Sequence, residues 1–398
     1  MPEQRTAGSP GEVFKAFLML GLTSFGGPIA HLGYFRSEFV ERRRWLTERD
    51  YADLVALCQF LPGPASSQVG FALGLMRAGC RGAAAAWLAF TLPSAVLMTL
   101  FALGAARLDA PLGEGLLEGL KLAAVAVVAH AVLGMARTLC PDRRRSAIAL
   151  AAVAVVTLVG GPLGQLAAIL TGALGGMLLC RTSSASAPPI AIMPLSRRAG
   201  HAALAFALAL FVGLPLLVWL EAAPWTRMLD AFYRAGALVF GGGHVALPLL
   251  ESAVVQPGWV SQEAFLAGYG AAQAVPGPLF TFAAYLGAVI APLDDPLLGA
   301  GVALGMIFLP GLLLLLAALP HWNRLRRLSG MQGSIRGANA AVVGILGAVL
   351  YQPLWTGTVQ GSAEFLLVLT GFVLLGVWKA PAWLVVLILA AGGALLPA

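Results

Sequence analysis

Two Pro-Gly-Pro triplets, Pro62-Gly63-Pro64 and Pro276-Gly277-Pro278, and two glycine breaks, Phe25-Gly26-Gly27-Pro28 and Phe240-Gly241-Gly242-Gly243, interrupt otherwise apolar sequence. Irregular backbone in apolar surroundings leaves N–H and C=O groups without helical partners. That costs several kcal/mol each unless protein or a water-filled cavity satisfies them. In Pro62-Gly63-Pro64, Pro62 ends the incoming half-helix, and Pro64 suits the first turn of the outgoing one, where a missing N–H costs nothing. Four outgoing N-terminal ends, starting near Pro28, Pro64, Gly243 and Pro278, would aim free N–H groups and partial positive charge at one place. The chemistry that suits is anion binding. Ser66, Ser67 and Thr281 follow the triplets and would add hydroxyl donors, and Gln59 and Gln273 precede each triplet by three residues and would add amides. The alternative for all of them is a packing break with self-satisfied polar side chains.

Charged and titratable residues inside apolar stretches are few. Lys121 and Arg336 are each expected to begin a helix rich in Ala and Gly (Leu122 to Ala129, Gly337 to Ile345). Each could be a counter-charge for a dianion, or an interfacial side chain that snorkels. His31 and His244 lie a few residues beyond the glycine breaks and are candidates for proton coupling. His130, His201 and His321 read as structural. Cys58, Cys80, Cys140 and Cys180 stand singly, so neither a zinc site nor a disulfide framework is expected. No metal and no cofactor are expected.

These residues sit in a chain of 398 residues that is 59% hydrophobic and 11% charged, far below the roughly 25% charge of a soluble domain. The reading is an all-α, polytopic membrane protein, multi-pass in a bacterial cytoplasmic (inner) membrane. The first apolar stretch offers no small-residue cleavage site, so no removable signal peptide is expected. The net charge of +7 comes from arginines clustered in short loops such as Arg42-Arg43-Arg44 and Arg143-Arg144-Arg145, the positive-inside bias of a membrane protein rather than a nucleic-acid footprint. All three lysines follow Phe, Leu or Trp, so no phosphate-binding Gly-Lys-Ser/Thr exists; H-E-x-x-H and G-x-S-x-G are absent too. The expectation is a transporter, not an enzyme. The lipid bilayer is its one certain partner, no nucleic acid is expected, and a homodimer is left open.

The motifs recur. Trp45-Leu46-Thr47-Glu48 returns as Trp259-Val260-Ser261-Gln262, Gln59 to Pro64 as Gln273 to Pro278, Leu92-Pro93 as Leu309-Pro310, and Lys121 as Arg336, at offsets of 214 to 217. The chain therefore divides into a first repeat (1–180), a linker with a connecting helix (181–227) and a second repeat (228–398). The loop from Arg36 to Arg49 holds five arginines, whereas its counterpart from Glu251 to Glu263 holds none. Corresponding loops would then face opposite sides, as in an inverted-topology repeat. Loop parity agrees with this only if the broken segments are re-entrant hairpins, giving nine spanning helices and four hairpins; a spanning path for the same segments remains the alternative.

Phe25-Gly26-Gly27-Pro28 with Ala30-His31, the Val40 to Trp45-Leu46 segment, and Pro62-Gly63-Pro64 followed by Gln68 resemble the first half of the chromate ion transporter family. Phe240 to Gly243 and the run Phe265 to Phe282 resemble its second half, as in two-domain members. The resemblance implies export of chromate, a tetrahedral dianion, driven by the membrane gradient rather than ATP, between antiparallel homologous halves. Sulfate or another oxyanion of the same shape is the alternative substrate, and a passive anion channel the alternative mechanism.

Overall fold

The computed structural model describes residues 8–105, 111–180, 195–221, 223–240, 246–291, 294–322 and 329–395. The described residues are helical, without strands. Short helices come first: α1 (Pro10–Thr23), α2 (Gly27–Phe35) and α3 (Glu48–Phe60), with a wide helical turn at Arg36–Arg42 between α2 and α3. Then come α4 (Ala65–Ala105), α5 (Pro111–Leu139), α6 (Arg143–Val159), α7 (Gly161–Leu179) and α8 (Arg197–Glu221). The second half repeats the pattern with α9 (Pro224–Ala237), α10 (Ala246–Val254), α11 (Gln262–Ala274), α12 (Phe282–Ile290), α13 (Pro296–Ala318) and α14 (Ser329–Val349). It ends with α15 (Ser362–Gly376) and α16 (Ala382–Gly393).

The interrupted segments fold back on themselves. Phe17 of α1 stacks on Phe39 with ring centroids 4.8 Å apart and meets Phe35 at 5.4 Å, so the chain reverses between Thr23 and Gly27. Phe265 of α11 meets Phe282 of α12 at 5.1 Å, and the Tyr285 hydroxyl donates to the Ala264 carbonyl at 2.8 Å, so the second Pro-Gly-Pro is also the tip of a hairpin. Half-helices of 9 to 14 residues rise only about 14–21 Å, well short of the roughly 30 Å hydrocarbon core. α4 contains a further reversal at Ala78 and Gly79, where the dihedrals leave the helical region. Beyond it Gly74 and Gly82 lie backbone to backbone, so residues 65–77 belong to a hairpin and residues 80–105 to a long helix.

Among the described residues five helices are long and apolar enough to cross a membrane: α4, α5, α8, α13 and α14. The other four expected crossings correspond to α6, α7, α15 and α16. They have 12 to 19 residues and rise about 18–29 Å, and α7, α15 and α16 are apolar but shorter than those five. Neither Lys121 nor Arg336 begins a helix: α5 starts at Pro111, a residue suited to a first turn, and α14 at Ser329.

The two halves exchange their short helices. α5 is wrapped by α15, α16 and α11 of the second half, and α14 by α6 and α7 of the first. Glycines permit this closeness: Gly119 lies on the backbone of Leu389 and Ala390, Gly270 on Leu120, and Gly172 and Gly176 on Gly337. Residues Leu122 to Val128 of α5 are all buried, as are Ala340 to Leu346 of α14, Gly344 included. The small residues after Lys121 and Arg336 are thus the contact faces of the two central helices.

Candidate functional site

The breaks meet at the join between the halves. The Gly63 N–H donates to the Val239 carbonyl at 2.7 Å, and the Gly277 N–H donates to the Ser24 carbonyl at 2.9 Å. Val239 and Ser24 each follow a short helix that leads to a glycine break, so each Pro-Gly-Pro tip is bonded to the end of such a helix in the opposite half. Each tip also sits on a kinked helix of the opposite half. A Cβ on Gly63 would lie 2.9 Å from Gly311 Cα, next to Pro310 of α13. One on Gly277 would lie 2.8 Å from Ser94 Oγ, next to Pro93 of α4. Both glycines have φ near +100° (116° and 98°), a region that costs other residues roughly 1–2 kcal/mol. Gly63 and Gly277 are therefore fixed both by conformation and by space, and their N–H groups are already used.

Buried polar residues gather between the two tips: Ser66, Ser67 and Gln68 follow Pro62-Gly63-Pro64, Ser24 and Ser94 touch Gly277, and His31 and Thr91 lie with them. His31 Nδ1 and Ser66 Oγ are 3.4 Å apart, the imidazole stands edge-on to Phe90, and Nε2 is buried without a partner among the described residues. Gln68 Nε2 donates to the Pro62 carbonyl at 2.9 Å and to the Gly311 carbonyl at 2.8 Å, which fixes the amide and leaves Oε1 buried without a partner. The hydroxyls of Ser24, Ser67 and Thr91 are buried and equally unpartnered, whereas Ser94 bonds back to the Thr91 carbonyl. Buried polar atoms normally have partners, and here several have none among the described residues.

Pro276-Gly277-Pro278 is followed by Leu279, Phe280, Thr281 and Phe282, all buried. Thr281 Oγ1 donates to the Pro278 carbonyl at 2.8 Å within its own tight turn, and its hydroxyl proton is spent there.

The remaining sequence candidates divide. Gly26 and Gly27 take positive φ, and Pro28 occupies the first turn of α2. Gln273 is half-buried beside Tyr269, whereas Gln59 is exposed. Lys121 forms an ion pair with Glu118 one turn earlier, a partner that the sequence reading did not assign. Arg336 donates to the Cys180 carbonyl at 3.4 Å and lines a pocket with Arg143, Arg144 and Arg145 instead of the Pro-Gly-Pro breaks. Gly241, Gly242, Gly243 and His244 lie outside the described residues. The sequence reading did not single out Ser24 or Thr91, and named Gln68 only within the motif after Pro62-Gly63-Pro64. Gln68 lies six residues after Pro62, and its polar type inside an apolar helix was the available signal.

The family model described as chromate transporter matches residues 11–177 and 226–395. The chain belongs to the chromate transporter family. As a chromate transporter family member it is a multi-pass integral membrane protein. It is 29% identical over 408 residues to a chromate transport protein of Pseudomonas aeruginosa, covering 96% of this chain and 90% of that one. It is 30% identical over 353 residues to a probable chromate transport protein of Synechococcus elongatus (85% and 83%), and 27% identical over 349 residues to a chromate transport protein of Cupriavidus metallidurans (84% and 80%). These relatives are named as transport proteins, which places this family member among transporters rather than enzymes. No solved structure matches it.

Proposed function

We propose that the chain is a secondary carrier that exports chromate from the cytoplasm, driven by the membrane gradient, with the oxyanion held beside Pro62-Gly63-Pro64. The observation that carries this is the set of orphaned, buried polar atoms between that tip and Gly277: the hydroxyls of Ser24, Ser67 and Thr91, and His31 Nε2. A tetrahedral dianion offers only acceptors. Ser24, Ser67 and Thr91 can donate hydroxyl protons, and the first N–H groups of α4 have no acceptor within their helix. His31 is the titratable side chain of the cluster among the described residues, and we assign it the proton coupling. The reciprocal bonds from Gly63 to Val239 and from Gly277 to Ser24 support an inverted pair of halves that rock about their shared tips, exposing the site to each side in turn.

The test is uptake of labelled chromate into inverted membrane vesicles, with and without a proton gradient, and with excess sulfate. Saturable, gradient-dependent uptake that Ser67→Ala weakens is the expected result. Flux that does not saturate and follows the potential alone would mean a channel. Uptake no greater than in empty vesicles would remove chromate as the substrate. Competition by sulfate would measure how far the site reads only shape and charge.

A further inference from the structure

The hairpins of the two halves pack into separate hydrophobic clusters. One gathers Phe17, Phe35, Leu54 and Leu73 of the first half, and the other gathers Phe232, Leu250, Phe265 and Tyr285 of the second, together with the buried face of α5. The long helices α4 and α13 run through both. In α4, Ala86, Ala89 and Phe90 lie in the first cluster and Ala95, Met98 and Ala102 in the second. In α13, Ala303, Ile307 and Phe308 lie in the second cluster and Leu315 and Ala318 in the first. Each helix therefore leaves the hairpins of its own half for those of the opposite half, and the change falls at Pro93 in one and at Pro310 in the other.

A proline inside a helix has no N–H for the carbonyl four residues back, and its ring pushes that carbonyl aside. Here those carbonyls belong to Ala89 and Met306, and a helix bends where its ladder is interrupted in this way. Just before each proline the neighbours come from the same half: Gly21 of α1 lies against the carbonyls of Ala89 and Phe90, and Gly236 of α9 against that of Ile307. Beyond it they come from the opposite half. Phe101 of α4 lies 5.6 Å from Tyr285 of α12, and Trp322, just past α13, lies 5.7 Å from Phe60 of α3. Trp87 and Phe308, one on each long helix, meet edge-on at 5.6 Å across the boundary. The Pro-Gly-Pro tips rest at the same level, Gly277 on Phe90 and Ser94, and Gly63 on Gly311.

Packing would account for a kink in one helix. It does not account for two helices that each exchange one cluster for the other at a proline, with the opposite tip seated there. We propose that Pro93 and Pro310 are the pivots on which the hairpins of the first half turn against those of the second. The proposal rests on the carrier reading for its purpose and names the residues that the rocking uses. A hinge is absorbed by a few positions while the packed bodies on either side keep their form. Ser24 and Thr91, with orphaned hydroxyls, lie beside the Pro93 pivot through Gly277 and Ser94, so an anion held there sits where the two bodies turn.

The experiment is pulsed dipolar electron spin resonance on the full chain in lipid nanodiscs, with the native cysteines replaced. Spin labels on Ser37→Cys and Arg137→Cys, at exposed positions, report across the boundary; Lys15→Cys with Arg49→Cys, and Arg137→Cys with Ser261→Cys, report within one body each. Without substrate the first pair should give a broader distance distribution than the other two. Pro93→Ala/Pro310→Ala, which returns an N–H to each helix, should narrow it to the width of the within-body pairs and slow chromate transport. Each single proline variant should narrow it in part, and unchanged within-body distances show that the fold is kept. Two outcomes overturn the pivots: a cross-boundary width no greater than the within-body widths, or a width that the proline variants leave as it was. Added chromate should shift the cross-boundary distribution. A distribution that answers to the proline variants but not to chromate would support the pivots and count against the carrier reading.

Discussion

Gly63 and Val239, 176 positions apart in sequence, are joined by a 2.7 Å backbone hydrogen bond, and Gly277 and Ser24 repeat the bond at 2.9 Å with the halves exchanged. Each half therefore completes the backbone hydrogen bonding at the other's tip. A substitution at either glycine disturbs both halves at once.

Gly63→Ala and Gly277→Ala should each destabilise the protein by about 2–4 kcal/mol, combining a φ that disfavours any Cβ with overpacking against the opposite half. Thermal unfolding in detergent should show the two variants losing stability alike. A Gly63→Ala protein as stable as wild type would mean that the tip is not held as described.

Ser67→Ala and Thr281→Ala occupy corresponding turns but should behave differently. Ser67 Oγ is orphaned, while the Thr281 hydroxyl is spent on Pro278. A hydrogen bond to a charged ligand contributes roughly 1.5–3 kcal/mol, so Ser67→Ala should raise KM for chromate about 10- to 150-fold. Thr281→Ala should leave KM within about twofold of wild type, since no ligand bond is lost. Equal effects from the two would place the anion symmetrically between the halves.

Glu38 supplies a pH dependence. Burial alone would raise its carboxyl pKa, but hydrogen bonds and charge from Arg43 at 2.6 Å and Arg42 at 3.0 Å outweigh that and hold it below the ordinary 4.5. Because the folded value is depressed, the stabilisation is fully present above pH 4.5 and is lost as pH falls through the lower folded value. Glu38→Gln should cost roughly 1–3 kcal/mol at neutral pH. It should also flatten the acid limb of a stability profile measured by unfolding temperature.

Native thiols report the hairpins. Cys58 is buried in α3, while Cys80 is exposed at the reversal within α4, so a maleimide should modify Cys80 and spare Cys58 in folded protein. With cysteine removed elsewhere, reporters at Ser37 and Ser261 should react from opposite membrane faces if the halves are inverted. Reaction of both from one face would contradict that orientation.

The outline of this architecture was legible because its signals are covalent and periodic. The Pro-Gly-Pro clusters end helices in apolar sequence, as their composition indicates, whereas the single prolines Pro93 and Pro310 lie inside helices. Side-chain symmetry misled: Gln59 and Gln273 correspond in sequence, yet the first is exposed and the second half-buried, because burial depends on neighbours that a motif does not contain. Ser24 and Thr91 come to the site from a helix end and a kinked helix more than 60 residues apart, a meeting that no local spacing encodes. Lys121 and Arg336 looked equivalent for the same reason. One is paired within its own helix with Glu118, and the other is drawn to the last carbonyl of α7 and three arginines.

The exchange of short helices around α5 and α14 also governs how the molecule is made. When the ribosome has released only the first half, α5 has none of the helices that will enclose it, and its row of small side chains faces lipid. α6 and α7 wait likewise for α14. Assembly is then a late event that needs the last residues of the chain, and a truncated first half is a substrate for membrane quality control rather than half a transporter. Two separately made halves would have to meet in the membrane before α5 and α14 could be enclosed.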